Sequence, residues 1–396
     1  MKGVAVVAEF TVGRSHRRFA FARGFLLLLL PAVLCAAPAF GGYVVTNLSD
    51  GVSSDNRGPV IDGDRVAWRG FDGHDYEVYL YDGRSVSQMT YTNGNVNNVG
   101  LSGSNLSWRW GSDPNDDIFF YDGSTTRNIS NRSYYDHSPV ISGSNVAWYG
   151  YDGHDTEIFY YNGSTTTQLT NNSYAHDSPV ISGSNVAWRG FDGNDTEIYL
   201  RSGGTTTQIT SNTVGDINVN ISGSNLAWQQ HDGHYYQVFY YDGTVHQLTT
   251  GPGVGLPAIS GTKVVWDQWD GSDNEIFLYD GSTNKITQLT DNEYFDTKPS
   301  ISGSNIAWIG DDDIWVYDGT TTTRLTDDDN PDYLPRISGR NVTWYTDVGG
   351  DYDVFMAKFQ QDPDPEPVPE PFTAVFFGTG LVSVAWLAAR RRTRRQ

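Results

Sequence analysis

Residues Ser178–Thr210 read SPVISGSNVAWRGFDGNDTEIYLRSGGTTTQIT, and variants of this stretch recur along most of the 396-residue chain. Variants of a Pro-Val-Ile-Ser-Gly segment, a tryptophan, an Asp-Gly-x-Asp turn, an apolar Glu-Ile-Tyr run and a Thr-rich Gln-Leu-Thr end return in the same order. The marker tryptophans are Trp68, Trp108, Trp148, Trp188, Trp228, Trp266, Trp308 and Trp344, spaced 40, 40, 40, 40, 38, 42 and 36 residues apart. Eight copies of a unit of this length define a repeat architecture, and that reading outranks any local one.

One copy reads as four short strands. In residues 138–170, Pro139–Ser142 is apolar and Gly143-Ser144-Asn145 is a turn. Val146–Tyr149 is a second strand, and Asp152-Gly153-His154-Asp155 is a hairpin signal of the Asp-Gly kind. Glu157–Tyr161 is rich in β-formers, Asn162-Gly163-Ser164 turns again, and Thr165–Thr170 is a fourth strand. No helical period intervenes. Ile158 and Tyr160 face one way and Phe159 and Tyr161 the other, so the sheet needs a neighbour on both sides. Radial stacking of eight such sheets meets that need. The expectation is an all-β chain folded as an eight-bladed β-propeller of four-stranded antiparallel blades over residues 40–361.

The last copy lacks a Gln-Leu-Thr strand, whereas Tyr43–Ser49 (YVVTNLS) reads like the missing one. Pairing it with Asp353–Phe359 closes the ring and leaves no free edge. An open solenoid is the alternative, and it requires polar caps that the sequence does not display.

The formal charge is −21, yet both ends are basic. Residues 1–39 hold five Lys/Arg and one Glu, and residues 372–396 hold five Arg and no acid, which leaves 16 Lys/Arg against 46 Asp/Glu between them. A body so acidic repels nucleic acid and anionic lipid, and favours cations, basic partners or neutral ligands. Cys35 is the sole cysteine and falls in the basic leader, so the remainder has no thiol chemistry.

The ends read as addresses. Arg14, Arg17, Arg18 and Arg23 precede the apolar run Phe25–Leu34 and an Ala37-Pro38-Ala39 cleavage signal, the pattern of a secretory signal peptide over residues 1–39. Residues 362–371 alternate acid and proline as a stalk that ends in Pro369-Glu370-Pro371. Phe372–Ala389 is 18 residues without a charge, long enough for a transmembrane helix, and Arg390, Arg391, Arg392, Arg394 and Arg395 follow it as a cytoplasmic tail. This tripartite end resembles the PEP-CTERM sorting signal. That resemblance implies an exosortase-type processing enzyme as partner, transient membrane anchoring through the C-terminal helix, and display on the envelope, outer surface or extracellular matrix of a Gram-negative bacterium.

The repeat itself resembles the TolB-type propeller blade. The shared elements are an Asp shortly before Pro (Asp177 before Pro179), a Ser-Gly turn, the Trp strand, Asp-Gly, Glu-Ile-Tyr and Gln-Leu-Thr, and they cover roughly residues 43–359. Ser-Gly-Ser-Asn stands where that family usually has Pro-Asp-Gly. The resemblance implies a fold and says little of function, because propellers host both binding and catalysis.

No Gly-x-Ser-x-Gly elbow, His-Glu-x-x-His motif or phosphate-binding loop occurs. The Asp-Gly-x-Asp turns contribute Asp72, Asp75, Asp152, Asp155, Asp192, Asp195, Asp270 and Asp273. They read either as plain hairpin turns or as oxygen-rich loops able to hold Ca2+, although none has the spacing of a known calcium loop. His231 and His234 offer at most half a metal site.

Blade topology sorts the turns onto two faces. Turns a–b and c–d are near-uniform, whereas loops b–c and d–a are acidic, aromatic and varied. The varied loops supply Tyr135, Asp136, His137, His176, Asp177, Tyr294, Asp296, Asp332 and Tyr333 as candidate ligand contacts. The expected function is non-catalytic recognition of carbohydrate or an envelope protein. The rival is a polysaccharide lyase or hydrolase with carboxylates at the propeller channel. Because strand c runs toward the uniform face, Phe359 is expected to emerge there, opposite the loop that carries Asp136.

Overall fold

The computed structural model describes residues 39–40, 42–111 and 115–360. Residues 1–38 of the leader with Cys35, the stalk with Pro369, Glu370 and Pro371, the apolar span and the tail with Arg390, Arg391 and Arg392 lie outside the described residues.

Eight antiparallel sheets follow one another as blades 1 to 8, over residues 54–88, 96–128, 136–168, 176–208, 216–247, 258–288, 296–324 and 332–359. Each of the first seven is a meander of strands a to d. In blade 3 these are Asp136–Ser142, Asn145–Tyr151, Thr156–Tyr161 and Thr166–Gln168. Blade 8 has Asp332–Ser338, Asn341–Val348 and Asp351–Phe359 as strands a to c. Its outer position is filled by Tyr43–Asn47, with Tyr43 opposite Phe359 and Asn47 opposite Phe355. A two-residue strand, Ala39–Phe40, pairs outside that.

The core is divided into eight apolar clusters, each shared by two adjacent blades. Ile158 and Tyr160 of blade 3 pack with Val186 and Trp188 of blade 4, while Phe159 and Tyr161 pack with Ile118 and Phe120 of blade 2. The cluster of Val354 and Met356 with Val66, Trp68 and Tyr79 joins blade 8 to blade 1, so the stack is a closed ring. Seven of the marker tryptophans stack on an aromatic ring of strand c, as Trp148 does on Phe159 with centroids 5.9 Å apart. Burying one indole removes roughly 200 Å² from water, about 5 kcal/mol of hydrophobic stabilisation.

The Ser-Gly-x-Asn turns form a belt between blades. The glycines Gly63, Gly103, Gly143, Gly183, Gly223, Gly261, Gly303 and Gly339 all have φ between 59° and 64°, which a side chain would strain. Each glycine N–H donates to the residue ending strand a of the preceding blade. That acceptor is a serine Oγ at 2.8–2.9 Å in seven cases and Asp62 at 2.6 Å in the eighth. Six asparagines, Asn145 among them, donate 2.8–3.0 Å bonds to the next blade's glycine carbonyl. Gly63 accepts from Asn341 and donates to Ser338, so the belt also closes between blades 8 and 1. Phe359 N–H donates to Asn341 Oδ1, and the neighbouring Lys358 pairs with Asp64, so the last strand ends on this uniform face as expected.

Strand a differs from its sequence reading. It begins at Asp136, three residues before Pro139, and a register shift separates His137 from Val140. Ser138 sits at φ 50°, and Ser178, Asn218, Lys298 and Leu334 repeat that conformation at 48–56°. The proline lacks an N–H for the ladder in blades 1, 3, 4, 7 and 8, and a bulge at the preceding residue, Gly58 in blade 1, lets the strand continue past it.

Candidate functional site

Four of the expected ligand contacts are interior residues. Asp136, His176, Asp296 and Asp332 start strand a of their blades and are 0–4 % exposed. For Asp136, His176 and Asp296 the position is explained by the tryptophan twelve residues on, whose indole N–H enters an apolar interior and requires an acceptor. Trp148 donates to Asp136 Oδ1 and Trp308 to Asp296 Oδ1, each at 2.8 Å. Trp188 Nε1 lies 3.2 Å from His176 Nδ1. Asn56 and Asp216 hold the same place beneath Trp68 and Trp228. Asp332 instead accepts the Thr326 and Thr346 hydroxyls at 2.6 and 2.5 Å. Burial raises the Asp136 and Asp296 carboxyls, pushes Asp332 up to about 7, and lowers His176 to about 4. These four residues are structural latches and present no surface to a ligand.

The other five stay near the surface, half-buried. Tyr135 stacks on Tyr151 and meets His137 edge-on, with centroids 5.6 and 5.1 Å apart. Tyr333 stacks on Tyr345 at 5.1 Å, and Tyr294 on Trp315 at 6.4 Å. Asp177 is held by both ends of the Arg189 guanidinium at 2.8 and 2.7 Å.

Of the most exposed rings, the sequence placed Tyr134, Tyr174 and Phe295 in the varied loops without naming them as contacts, and the others were missed. Tyr91, Tyr134, Tyr174, Phe191, Tyr235, Tyr236, Trp269 and Phe295 are each at least 37 % exposed, and all lie at b–c or d–a loops or the strand ends beside them. Among the described residues no aromatic side chain of the a–b or c–d turns is so exposed. Several are edge-paired into larger surfaces, as with Tyr174 against Phe191 at 5.8 Å and Trp269 near Phe295 at 6.4 Å across blades 6 and 7.

The Asp-Gly turns on this face are hairpin turns, and Asp72, Asp152, Asp192 and Asp270 accept the backbone N–H groups two and three residues on. The turns also bring carboxylates together. Asp72, Asp75 and Glu77 each offer an oxygen within 4.8 Å of the others, and so do Asp152, Asp155 and Glu157; Asp192, Asp195 and Glu197; and Asp270, Glu275 and Asp291. The glutamates were not singled out by sequence reasoning, because each opens an apolar strand and reads as part of it. The available signal was their constant place two residues after the second aspartate. His231 accepts the Gly233 N–H within its own turn and joins no such cluster among the described residues.

A cavity of about 520 Å³ opens between strands a of blades 5 to 8, lined by Pro257, Pro299, Leu334 and Pro335 with the polar side chains of Asp267, Lys298 and Arg336. Asp267, raised by burial, is the one carboxylate in its lining, so this cavity does not assemble the carboxylate pair that glycosidic cleavage employs.

The fold defines the chain as an eight-bladed β-propeller. No protein-family model matches it, and no curated protein matches it by sequence. Among solved structures it is similar to the propeller domain of the Trilobed protease of Pyrococcus furiosus, which has an open velcro topology (13 % identity, TM-score 0.50, covering 70 % of this chain and all of that one). It is also similar to a prolyl endopeptidase (9 % identity, TM-score 0.52), where it covers 74 % of this chain and spans only 54 % of the peptidase. TolB of Acinetobacter baumannii matches at 16 % identity and TM-score 0.38 over 65 % of each chain. At these identities the likeness concerns the fold alone.

Proposed function

We propose that this chain is an exported, surface-displayed propeller that recognises carbohydrate, or an envelope protein, through its b–c and d–a loop face, without catalysis of its own. The observation that carries the reading is the confinement of every strongly exposed aromatic ring among the described residues to that face. Exposed rings flanked by carboxylates offer flat apolar surface beside hydrogen-bond acceptors, which suits the C–H faces and hydroxyls of sugars. The opposite face is occupied by the inter-blade belt, whose polar groups already bond to one another. The leader and the PEP-CTERM-like tail support export, exosortase-type processing and display outside a Gram-negative cell. Since Phe359 ends at the belt face, a tether leaving from there points the aromatic face outward.

The test is an array of glycans and bacterial exopolysaccharides probed with the full chain, with each polymer sized before and after incubation. Saturable binding without shortening of the polymer is the expected result. Depolymerisation would establish the lyase or hydrolase reading in its place, and absence of binding to any glycan would refute carbohydrate recognition.

A further inference from the structure

The acidic clusters contain an electrostatic conflict that the chain resolves in four blades and leaves open in the other four. One residue near the start of each strand c pairs with the residue two after the marker tryptophan, as with Gly150 in blade 3 and Gly190 in blade 4. It is Glu77, Asp117, Glu157, Glu197, Gln237, Glu275, Asp313 and Asp353 in blades 1 to 8. In blade 5 the neutral Gln237 donates its amide to Asp232 Oδ2 at 2.9 Å. In blade 7 the Arg324 guanidinium pairs with Asp313 and also with Asp327. In blade 2 Asp117 accepts from Asn128 and Ser130 at 2.8 and 3.0 Å, and in blade 8 Asp353 accepts from Asn47 and Ser49 at 2.8 and 2.9 Å.

Blades 1, 3, 4 and 6 have glutamate there, and among the described residues no guanidinium or side-chain amide reaches it; the side-chain help is from hydroxyls, as with Thr92 on Glu77 Oε1 at 3.1 Å. Each glutamate side chain is fully buried, at 0 % exposure. One of its oxygens accepts a backbone N–H of the following d–a loop, as with Asn172 N–H on Glu157 Oε1 at 2.8 Å. The other, Oε2, has no hydrogen-bond partner in any of the four. Oδ1 of Asp75, Asp155, Asp195 and Asp273 is equally without a partner. Buried anionic oxygens facing like charges are costly unless a counter-charge joins them.

We infer that these four clusters are calcium sites, built in blades 1, 3 and 4 from the two aspartates of an Asp-Gly-x-Asp turn and the glutamate two residues on, and in blade 6 from Asp270, Glu275 and Asp291. The donors are all oxygen, with no histidine or cysteine, which selects a hard cation. The oxygens lie within 4.8 Å of one another, about twice a Ca–O bond of roughly 2.4 Å, so one ion can reach all three. Mg2+, with bonds of about 2.0–2.1 Å and a rigid octahedron, fits that spread less well. Each site joins the b–c turn to the d–a loop leading into the next blade, so the ions brace the proposed recognition face. The inference does not depend on which ligand that face takes.

The test is calorimetric titration of the full chain, stripped with chelator, with CaCl2 and in parallel with MgCl2, together with melting curves. About four Ca2+ per chain are expected in the wild type, one for each cluster. Glu197→Gln copies the arrangement that Gln237 already supports, and is expected to keep the fold and take about three ions. Added Ca2+ is expected to raise the melting temperature of the wild type in proportion to occupancy. Absence of uptake, stoichiometry unchanged in Glu197→Gln, or preference for Mg2+ would each overturn the assignment. Should Glu197→Gln lose its fold, Glu77→Gln gives the same reading in blade 1.

Discussion

Replacing Asp216 with valine isolates the latch beneath the tryptophans. Asp216 is fully buried, and its two oxygens accept the Trp228 indole N–H and the Asn212 amide, each at 2.8 Å. Blade 2 has Val96 in the same position, also fully buried, so the backbone there accommodates a β-branched apolar residue. In blade 5 the substitution strands the indole N–H, at about 1–3 kcal/mol, and loses the Asn212 bond, whose donor regains water and costs about 0.5–1.5 kcal/mol. Removing a buried carboxylate close to Glu197 offsets part of this. The expected net loss is about 2–3 kcal/mol. Asp216→Asn keeps the carbonyl that accepts Trp228 and is expected to cost less than about 1 kcal/mol. Urea unfolding followed by tryptophan fluorescence measures both variants on one scale. The latch argument fails if Asp216→Val stays within about 0.5 kcal/mol of the parent, or if the asparagine variant is the less stable of the two.

Other perturbations probe the belt, the closure and the buried acid of blade 8. Asn185→Ala removes a 2.8 Å bond to Gly223 at the exposed belt and is expected to cost about 0.5–1.5 kcal/mol in the same unfolding assay. Gly223→Ala, at φ 64°, adds about 1–2 kcal/mol of backbone strain, so the pair identifies the turn as structural. Deleting residues 1–47 exposes the edge of Asp351–Phe359 and uncovers Trp344, and size-exclusion chromatography is expected to show association that the parent lacks. Asp332, packed near Asp313 and Asp328, is raised to about 7 against an ordinary 3.8. The folded state therefore binds its proton more tightly than the unfolded chain. The resulting stabilisation is complete below about pH 4 and disappears as pH rises to about 7, worth up to about 4 kcal/mol. In Asp332→Asn that part of the pH dependence is expected to vanish from melting curves recorded between these limits.

Much of the architecture was legible because repetition restates each position eight times. The tryptophan spacing gave the blade count, and YVVTNLS matched the strand missing from blade 8, since a closed ring needs every copy complete. The start of strand a was not legible, because Tyr134 to Ser138 looks like a polar loop and the Ser138 bulge leaves no glycine to mark it. Asp136, His176, Asp296 and Asp332 were misplaced for the same reason. Polar side chains in a loop-like stretch read as solvated, whereas the groups that hold them inside lie elsewhere in the chain: a buried indole for the first three, and the Thr326 and Thr346 hydroxyls for Asp332. The signal was the constant interval of twelve residues between the acceptor and its tryptophan, as in Asn56 to Trp68 and Asp136 to Trp148. The glutamates of the acidic clusters were hidden by the opposite habit. Glu157 precedes Ile158 and Phe159 and was absorbed into an apolar strand, although its alternation turns it inward and leaves its Oε2 without a partner.

The claim that recognition belongs to the b–c and d–a face is tested most directly by carrying the best-bound glycan of the array into affinity measurements on two surface variants. One removes rings from that face, Tyr174→Ala with Phe191→Ala. The other alters the belt face, Asn145→Ala with Asn185→Ala. Loss of two contact rings is expected to weaken binding tenfold or more, about 1.4 kcal/mol or above, while the belt variant binds as the parent does. Full affinity in the ring variant together with weakened binding in the belt variant would contradict the account.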